Sequence, residues 1–233
     1  MRASEVLQKC LEPVLSDMHS LRRQTLMLTV DALIAGRRLV LMDMARSWPG
    51  ATHVRAPLKR VDRLLGNHLL HAARDNFYAA TARWLIRDKH PLIIVDWCRL
   101  KADGRWHVLR ASVPVGGRSM TLLDWVCPEA DLASPQVERA FLVHLKNILP
   151  ENIQPIVVTD AGFRAPWCRS VEALGWQWVT RLRNRTLVRQ VSADKPASEW
   201  VASKSLYALA GNKPLDLGLC EVSLKLSSRM GLM

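Results

Sequence analysis

The sequence predicts an α/β protein: a helical N-terminal region, then a mixed sheet with elements in the order βββαβαβ, then a short β-rich segment. Three observations predict it. Apolar residues recur at helical spacing up to about residue 88 and at strand spacing beyond it. Two short β-branched runs, Leu92-Ile93-Ile94-Val95-Asp96 and Ile156-Val157-Val158-Thr159-Asp160, each close on an aspartate. A helical stretch between them supplies the crossover that lets two strands run parallel. The expected domains are residues 1–88, 89–190 and 191–233.

The helices come first. Val6, Leu7, Leu11, Val14, Leu15 and Met18 fall on one helical face. A second helix has Ser20 as its cap, carries Leu26, Val30, Leu33 and Ile34, and stops at Gly36. A third covers Leu39 to Arg46 and is closed by Trp48-Pro49-Gly50. A fourth, PLKRVDRLLG, has Pro57 in its first turn and ends at Gly66. A fifth is expected from Leu69 to Ile86.

Strands follow from residue 89. Leu92–Val95 reads as a strand buried on both faces, with Asp96 at its end. Residues 106–113 and 119–126 alternate as two further strands, joined at Gly116-Gly117. Ser134-Pro135 opens a helix with Val137, Phe141, Leu145 and Ile148 as its stripe. The strand ending at Asp160 is next, then a helix from Pro166 to Leu174 stopped by Gly175, then a strand over 176–182. Pairing of the Leu92 and Ile156 strands would set Asp96 beside Asp160, an arrangement that resembles the ribonuclease-H-like fold. Beyond Arg189, residues 187–191, 200–201 and 219–226 are candidate strands. Asp194-Lys195-Pro196 and Gly211-Asn212-Lys213-Pro214 are expected turns, and the tail SSRMGLM has no periodicity.

The totals narrow the function. A net charge of +12 and a pI near 10.1 point to a polyanion as partner, nucleic acid before an acidic membrane. Between His53 and Arg74 the basic residues Arg55, Lys59, Arg60, Arg63 and Arg74 meet one acid, Asp62. Lys59 and Arg63 share a helix face, with Arg60 beside them, a surface suited to DNA phosphates. The five cysteines include no CxxC pair, which argues against a zinc ribbon. No apolar run approaches a membrane span, and no signal peptide is evident. A cytoplasmic, nucleoid-associated protein is expected.

Two neighbouring carboxylates repel unless a cation lies between them. Mg²⁺ or Mn²⁺ suits them, because such ions take one or two carboxylates and complete their shell with water and substrate phosphate. Asp96 and Asp160 are therefore candidate metal ligands and catalytic residues. The plainer reading of Asp160, before Ala161-Gly162, is a turn former.

Several stretches carry a family resemblance: VDWCRL at 95–100, VLRASVPVGGRSMTL at 108–122 and VVTDAGFRAPWCRSVEALGWQWVTRLRNR at 157–185. They resemble the DDE transposases of bacterial insertion sequences, in the cut-and-paste, hairpin-forming group. KRVDRLLGN at 59–67 is similar to the N-terminal region of that group. The resemblance implies a helical DNA-binding region, a ribonuclease-H-like core and a β-strand insertion. It implies divalent-metal-dependent cleavage and transfer of DNA strands at transposon ends and into target DNA. Asp96 matches the first metal-binding acid and Asp160 the second. Phe163, Arg164 and Arg181 fall in the segment around the second acid, where the arginines are expected to contact phosphate. An insertion tryptophan stacks on a flipped base in the family, but Trp200 matches its position poorly.

The departure from the family lies at the third acid. The pattern expects Tyr-x-x-Arg-x-x-x-Glu on a helix after the insertion. Here Tyr207 is followed by Ala210 and then Gly211-Asn212-Lys213-Pro214, and Glu199 and Glu221 sit in no such pattern. The expectation is a truncated and inactive copy with an uncovered sheet face. A DNA-binding remnant that inhibits or heterodimerises with full-length transposase is the alternative. A ribonuclease-H-type nuclease using Asp124 or Glu129 as third acid is a further one.

Overall fold

The structure is a computed structural model and describes residues 3–192, 196–213, 215–223 and 226–232. The expected turn residues Asp194, Lys195 and Pro214, positions 224 and 225 of the expected strand 219–226, and Met233 of the tail lie outside the described residues. The chain divides into two compact units, residues 1–88 with 145–153, and residues 89–144 with 154–233.

The first unit holds α1 (Ala3–Leu15), α2 (Ser20–Gly36), α3 (Leu41–Arg46), α4 (Arg55–Leu65), α5 (His68–Ala72) and α6 (Arg74–Leu85). Its apolar stripes meet in two clusters. Cys10, Leu11, Val14 and Leu15 of α1 pack with Ala80 of α6, flanked by Leu26 and Phe77. Ala32, Met44, Trp48 and Val61 join α2, α3 and α4.

Three helix ends differ from expectation. The cap of α2 is His19, whose Nδ1 accepts from the Leu21 N–H at 3.3 Å, and Ser20 is already helical. Gly36 stays in the helix, and Arg37 takes the left-handed cap at φ 55°. The helix expected over 69–86 is two helices. Asn67 caps α5 by accepting from the Leu70 N–H at 3.1 Å, while the His71 ring reaches back to the Leu65 carbonyl at 2.6 Å. No proline or glycine marks that break, so the apolar period alone did not reveal it.

The second unit carries β1 (Leu92–Arg99), β2 (Trp106–Val115), β3 (Arg118–Pro128), α7 (Pro135–Ile148, whose residues from Leu145 on belong to the first unit), β4 (Ile156–Thr159), α8 (Ala165–Ala173) and β5 (Gln177–Thr180). The sheet order is β3-β2-β1-β4-β5. The first three strands are antiparallel, and β4 and β5 run parallel to β1. Gly116 and Gly117 turn β2 into β3 at φ 55° and 77°, the left-handed pair that a two-residue hairpin needs.

β1 is not buried on both faces. Ile93 and Val95 are fully buried, whereas Leu92 and Ile94 are 47% and 37% exposed. One face is covered: Trp97, Leu109 and Trp125 form a row across β1, β2 and β3. Helix α7 meets this row through Phe141 and His144, whose rings stand edge-on to Trp125 at 6.3 and 5.4 Å. Helix α8 reaches the same face at β5, where Trp178 Nε1 donates to Glu172 Oε1 at 2.9 Å. The other face leaves Leu92, Ile94, Val126 and Val179 open to solvent.

β1 also runs past Asp96 to Arg99, because residues 96–99 go on pairing with 107–110 of β2. Asp96 is therefore inside a strand and exposed, not a buried acid at a strand end. Beyond β5 a second sheet contains β6 (Leu187–Gln190), β7 (Val201–Ala202), β8 (Leu215–Val222) and β9 (Leu226–Leu232), in the order β7-β6-β8-β9. The tail without periodicity is thus a paired strand, since its backbone bonds to β8 regardless of side-chain pattern.

Phe141 has no exposed surface and anchors α7 on Trp125. Replacing it with alanine is expected to cost about 3–5 kcal/mol in urea unfolding, through lost burial and the cavity left behind.

Candidate metal and nucleic-acid site

The parallel pairing of β1 with β4 matches Ile94 with Val158 and Val95 with Thr159. Asp96 and Asp160 each follow that last pair by one residue, Asp96 inside β1 and Asp160 just past the end of β4. Adjacent strands lie about 4.8 Å apart. Both aspartates are exposed, so neither bears a large desolvation cost, and water and ions can reach them.

Asp160 is held by its own turn. Its Oδ1 accepts the Gly162 N–H at 2.8 Å, as the turn-former reading expects. Thr180 Oγ1 donates to the Asp160 carbonyl at 2.9 Å, and Arg183 Nε donates to the Ala161 carbonyl at 2.9 Å. These bonds fix the 160–162 loop to the residues at and after the end of β5. A pocket of about 430 Å³ opens there, lined by Asp160, Ala161, Arg181, Leu182, Arg183, Asn184 and Arg185. Asp160 thus lines a cavity together with three arginines.

On its other side Asp96 faces β2. Its register partner is Arg110, and the partner of Arg110 is Asp124 of β3. Directly opposed residues share a sheet face, so Asp124, Arg110 and Asp96 form one row on the open face. Arg110 donates through Nε and Nη2 to the two oxygens of Asp124 at 2.7 and 2.9 Å. Asp124 is thereby engaged on β3, with two strands between it and the β4 strand that leads to Asp160.

Beneath Asp96, on the covered face, Trp97 Nε1 donates to Glu138 Oε1 of α7 at 3.3 Å. Burial pushes the Glu138 carboxyl above its ordinary range, while the Trp97 bond and the nearby Arg164 charge pull it down. Arg164 precedes α8, is exposed, and contributes to this internal balance. Phe163 is buried, with its ring 4.6 Å from that of Trp167. Trp200 carries the Arg189 guanidinium over its ring at 4.8 Å, so one face of the indole is already engaged.

In the first unit, Arg55, Lys59, Arg60 and Arg63 are all exposed on α4, opposite buried Pro57, Val61 and Leu64. Among the described residues no ion pair neutralises any of the four.

The donors present, carboxylate oxygens without thiolate or imidazole, suit Mg²⁺ or Mn²⁺ rather than a softer ion. Among the described residues no group of three or more His, Cys, Asp or Glu side chains forms a metal cluster. The fit is that of an ion held by two carboxylates, with its remaining positions left to water and phosphate. Arg110, Arg183 and Arg185 were not singled out from the sequence. The alternating RLRNR run at 181–185, just past a strand, carries the signal for two of them. Arg110 could be recognised only once the register was known.

No protein-family model, no curated protein and no solved structure matches the chain.

A Cβ at position 162 would come within 2.9 Å of Asp160 Oδ1. Gly162→Ala is expected to displace that carboxylate and break its bond to the backbone, costing about 1 kcal/mol in denaturant unfolding. Glu138 gives a pH signature. Because its folded pKa is raised, the folded state holds the proton more tightly, and stability falls as pH rises through that interval. Glu138→Gln keeps an acceptor for Trp97 without the charge. It should raise the melting temperature at neutral pH, with the gain shrinking as the pH falls toward 4.

Proposed function

We propose that this chain is a DNA-acting protein of the DDE transposase type, with a ribonuclease-H-like core in the second unit. The observation that carries the reading is the β1–β4 register, which sets Asp96 beside Asp160 on an exposed face next to an arginine-lined pocket. The strand order β3-β2-β1-β4-β5, with three antiparallel strands followed by two parallel ones, supports the ribonuclease-H-like assignment. The sequence resemblance at 95–100, 108–122 and 157–185 falls on the strands and loops that build this face.

Asp96 and Asp160 would hold the divalent ion. Such an ion, when bound, supplies Lewis-acid activation of an attacking oxygen and stabilises charge in phosphoryl transfer. Arg181, Arg183 and Arg185 line the space beside Asp160 and would bind a DNA phosphate, placing a phosphodiester against the acids. Arg55, Lys59, Arg60 and Arg63 of α4 present an unneutralised basic face that would bind the backbone independently of sequence. Arg164 has a second role, since its charge also faces Glu138.

The chain is expected to bind both DNA and Mn²⁺. Two measurements test the binding roles. Asp96→Asn and Asp160→Asn should each abolish most Mn²⁺ binding in calorimetry. Lys59→Ala with Arg63→Ala should reduce the slope of log affinity against log salt by about 1.8, the value for two lost phosphate contacts. An unchanged slope would remove α4 from the DNA interface.

A further inference from the structure

The open face carries a cation that no step of the proposed chemistry uses. Arg110 lies in β2 directly between two acids, Asp96 of β1 and Asp124 of β3. Directly opposed side chains on one face have Cβ atoms about 4.5–5.5 Å apart, so the guanidinium can reach either carboxylate. One edge of its planar fork takes a single carboxylate through two parallel bonds, and its remaining N–H groups can serve other acceptors. It binds Asp124, at 2.7 and 2.9 Å. The charge of arginine cannot be removed by losing a proton. If Asp124 did not take the fork, Asp96 would be the acid directly opposite it. A guanidinium on Asp96 would fill the place of a metal ion and neutralise the charge that attracts one.

We propose that Asp124 is a positioning residue for the Asp96–Asp160 pair: it holds Arg110 toward β3 and so leaves the Asp96 carboxylate open to a divalent cation. This rests on the metal reading of the two acids and adds to it a residue that touches neither metal nor substrate. The neighbouring charges agree with the assignment. Asp160 flanks Asp96 on the β4 side, and Arg181 lies in the pocket with Asp160, beyond it from Arg110. The Arg110 and Asp124 side chains are 45% and 28% exposed, so their ion pair is solvated and can be exchanged without rearranging the core.

The test uses the full chain and Mn²⁺ alone, with affinity read by calorimetry and by the electron paramagnetic resonance of the free ion. Asp124→Asn should weaken Mn²⁺ binding about threefold, the scale of one exposed ion pair transferred to Asp96. Asp124→Glu, which keeps the acid, should bind as the parent does. The deciding comparison is Asp124→Asn in an Arg110→Gln background, where it should have no effect. A simple through-space charge effect would weaken binding equally in both backgrounds and would overturn the proposal. So would unchanged affinity in Asp124→Asn itself. Parent-like affinity in Asp96→Asn is a separate result that would overturn the metal reading beneath it. Asp96→Asn abolishing binding while Asp124→Asn is harmless would remove the positioning role alone.

Discussion

The parallel pairing of β1 with β4 is the constraint from which the rest of the second unit follows. Four residue pairs, from Leu92 with Ile156 to Val95 with Thr159, set the register. Strands so paired cannot be joined by a tight turn, so the chain crosses over through α7. That crossover puts Phe141 and His144 against Trp125 and brings Glu138 to Trp97. The same register leaves the next residue of each strand, Asp96 and Asp160, adjacent. A slip of one residue would move Asp96 to the covered face and Val95 to solvent. The buried aliphatic residues of β1 and the proposed site are thus locked to each other.

The two faces of the sheet have opposite characters, and both come from alternation along β1. Ile93, Val95 and Trp97 face the helices. Leu92, Ile94, Asp96 and Cys98 point the other way and keep contact with solvent. The open face combines apolar surface at Leu92, Ile94 and Val179 with a charged row, Asp124, Arg110 and Asp96. Charge here is managed locally. Arg110 is matched by Asp124, Asp160 is satisfied in part by the Gly162 N–H, and the arginines after β5 line the remaining space. An acidic pair within a protein of net charge +12 fits a division of labour. On the proposed reading, basic side chains would meet the polyanion and the acids would be left for a cation.

The element types were written in the sequence because they rest on local patterns. The 3.6-residue stripes of α1, α4 and α7, the Gly116-Gly117 turn and the β-branched runs of β1 and β4 required only neighbours in the chain. The two acids stood out for the same reason, as charges after aliphatic runs. What failed depended on groups far away. β1 looked buried on both faces and looked finished at Val95, because a run of four apolar residues does not say which side will be covered or how far a partner strand will extend it. The division between α5 and α6 carries no proline or glycine to announce it, and β9 was held by backbone bonds to β8 that ignore side-chain identity.

The sequence by itself determined which groups each unit offers: a basic face on α4 in the first, and two aspartates with an Arg-rich segment after the last core strand in the second. Only the tertiary structure decided how those groups are arranged. Register placed Asp96 beside Asp160 and set Arg110 between Asp96 and Asp124, because pairing across strands joins residues that are 14 to 64 positions apart in the chain. It also made the acids exposed rather than buried. That changes their physical problem from desolvation to competition among nearby cations.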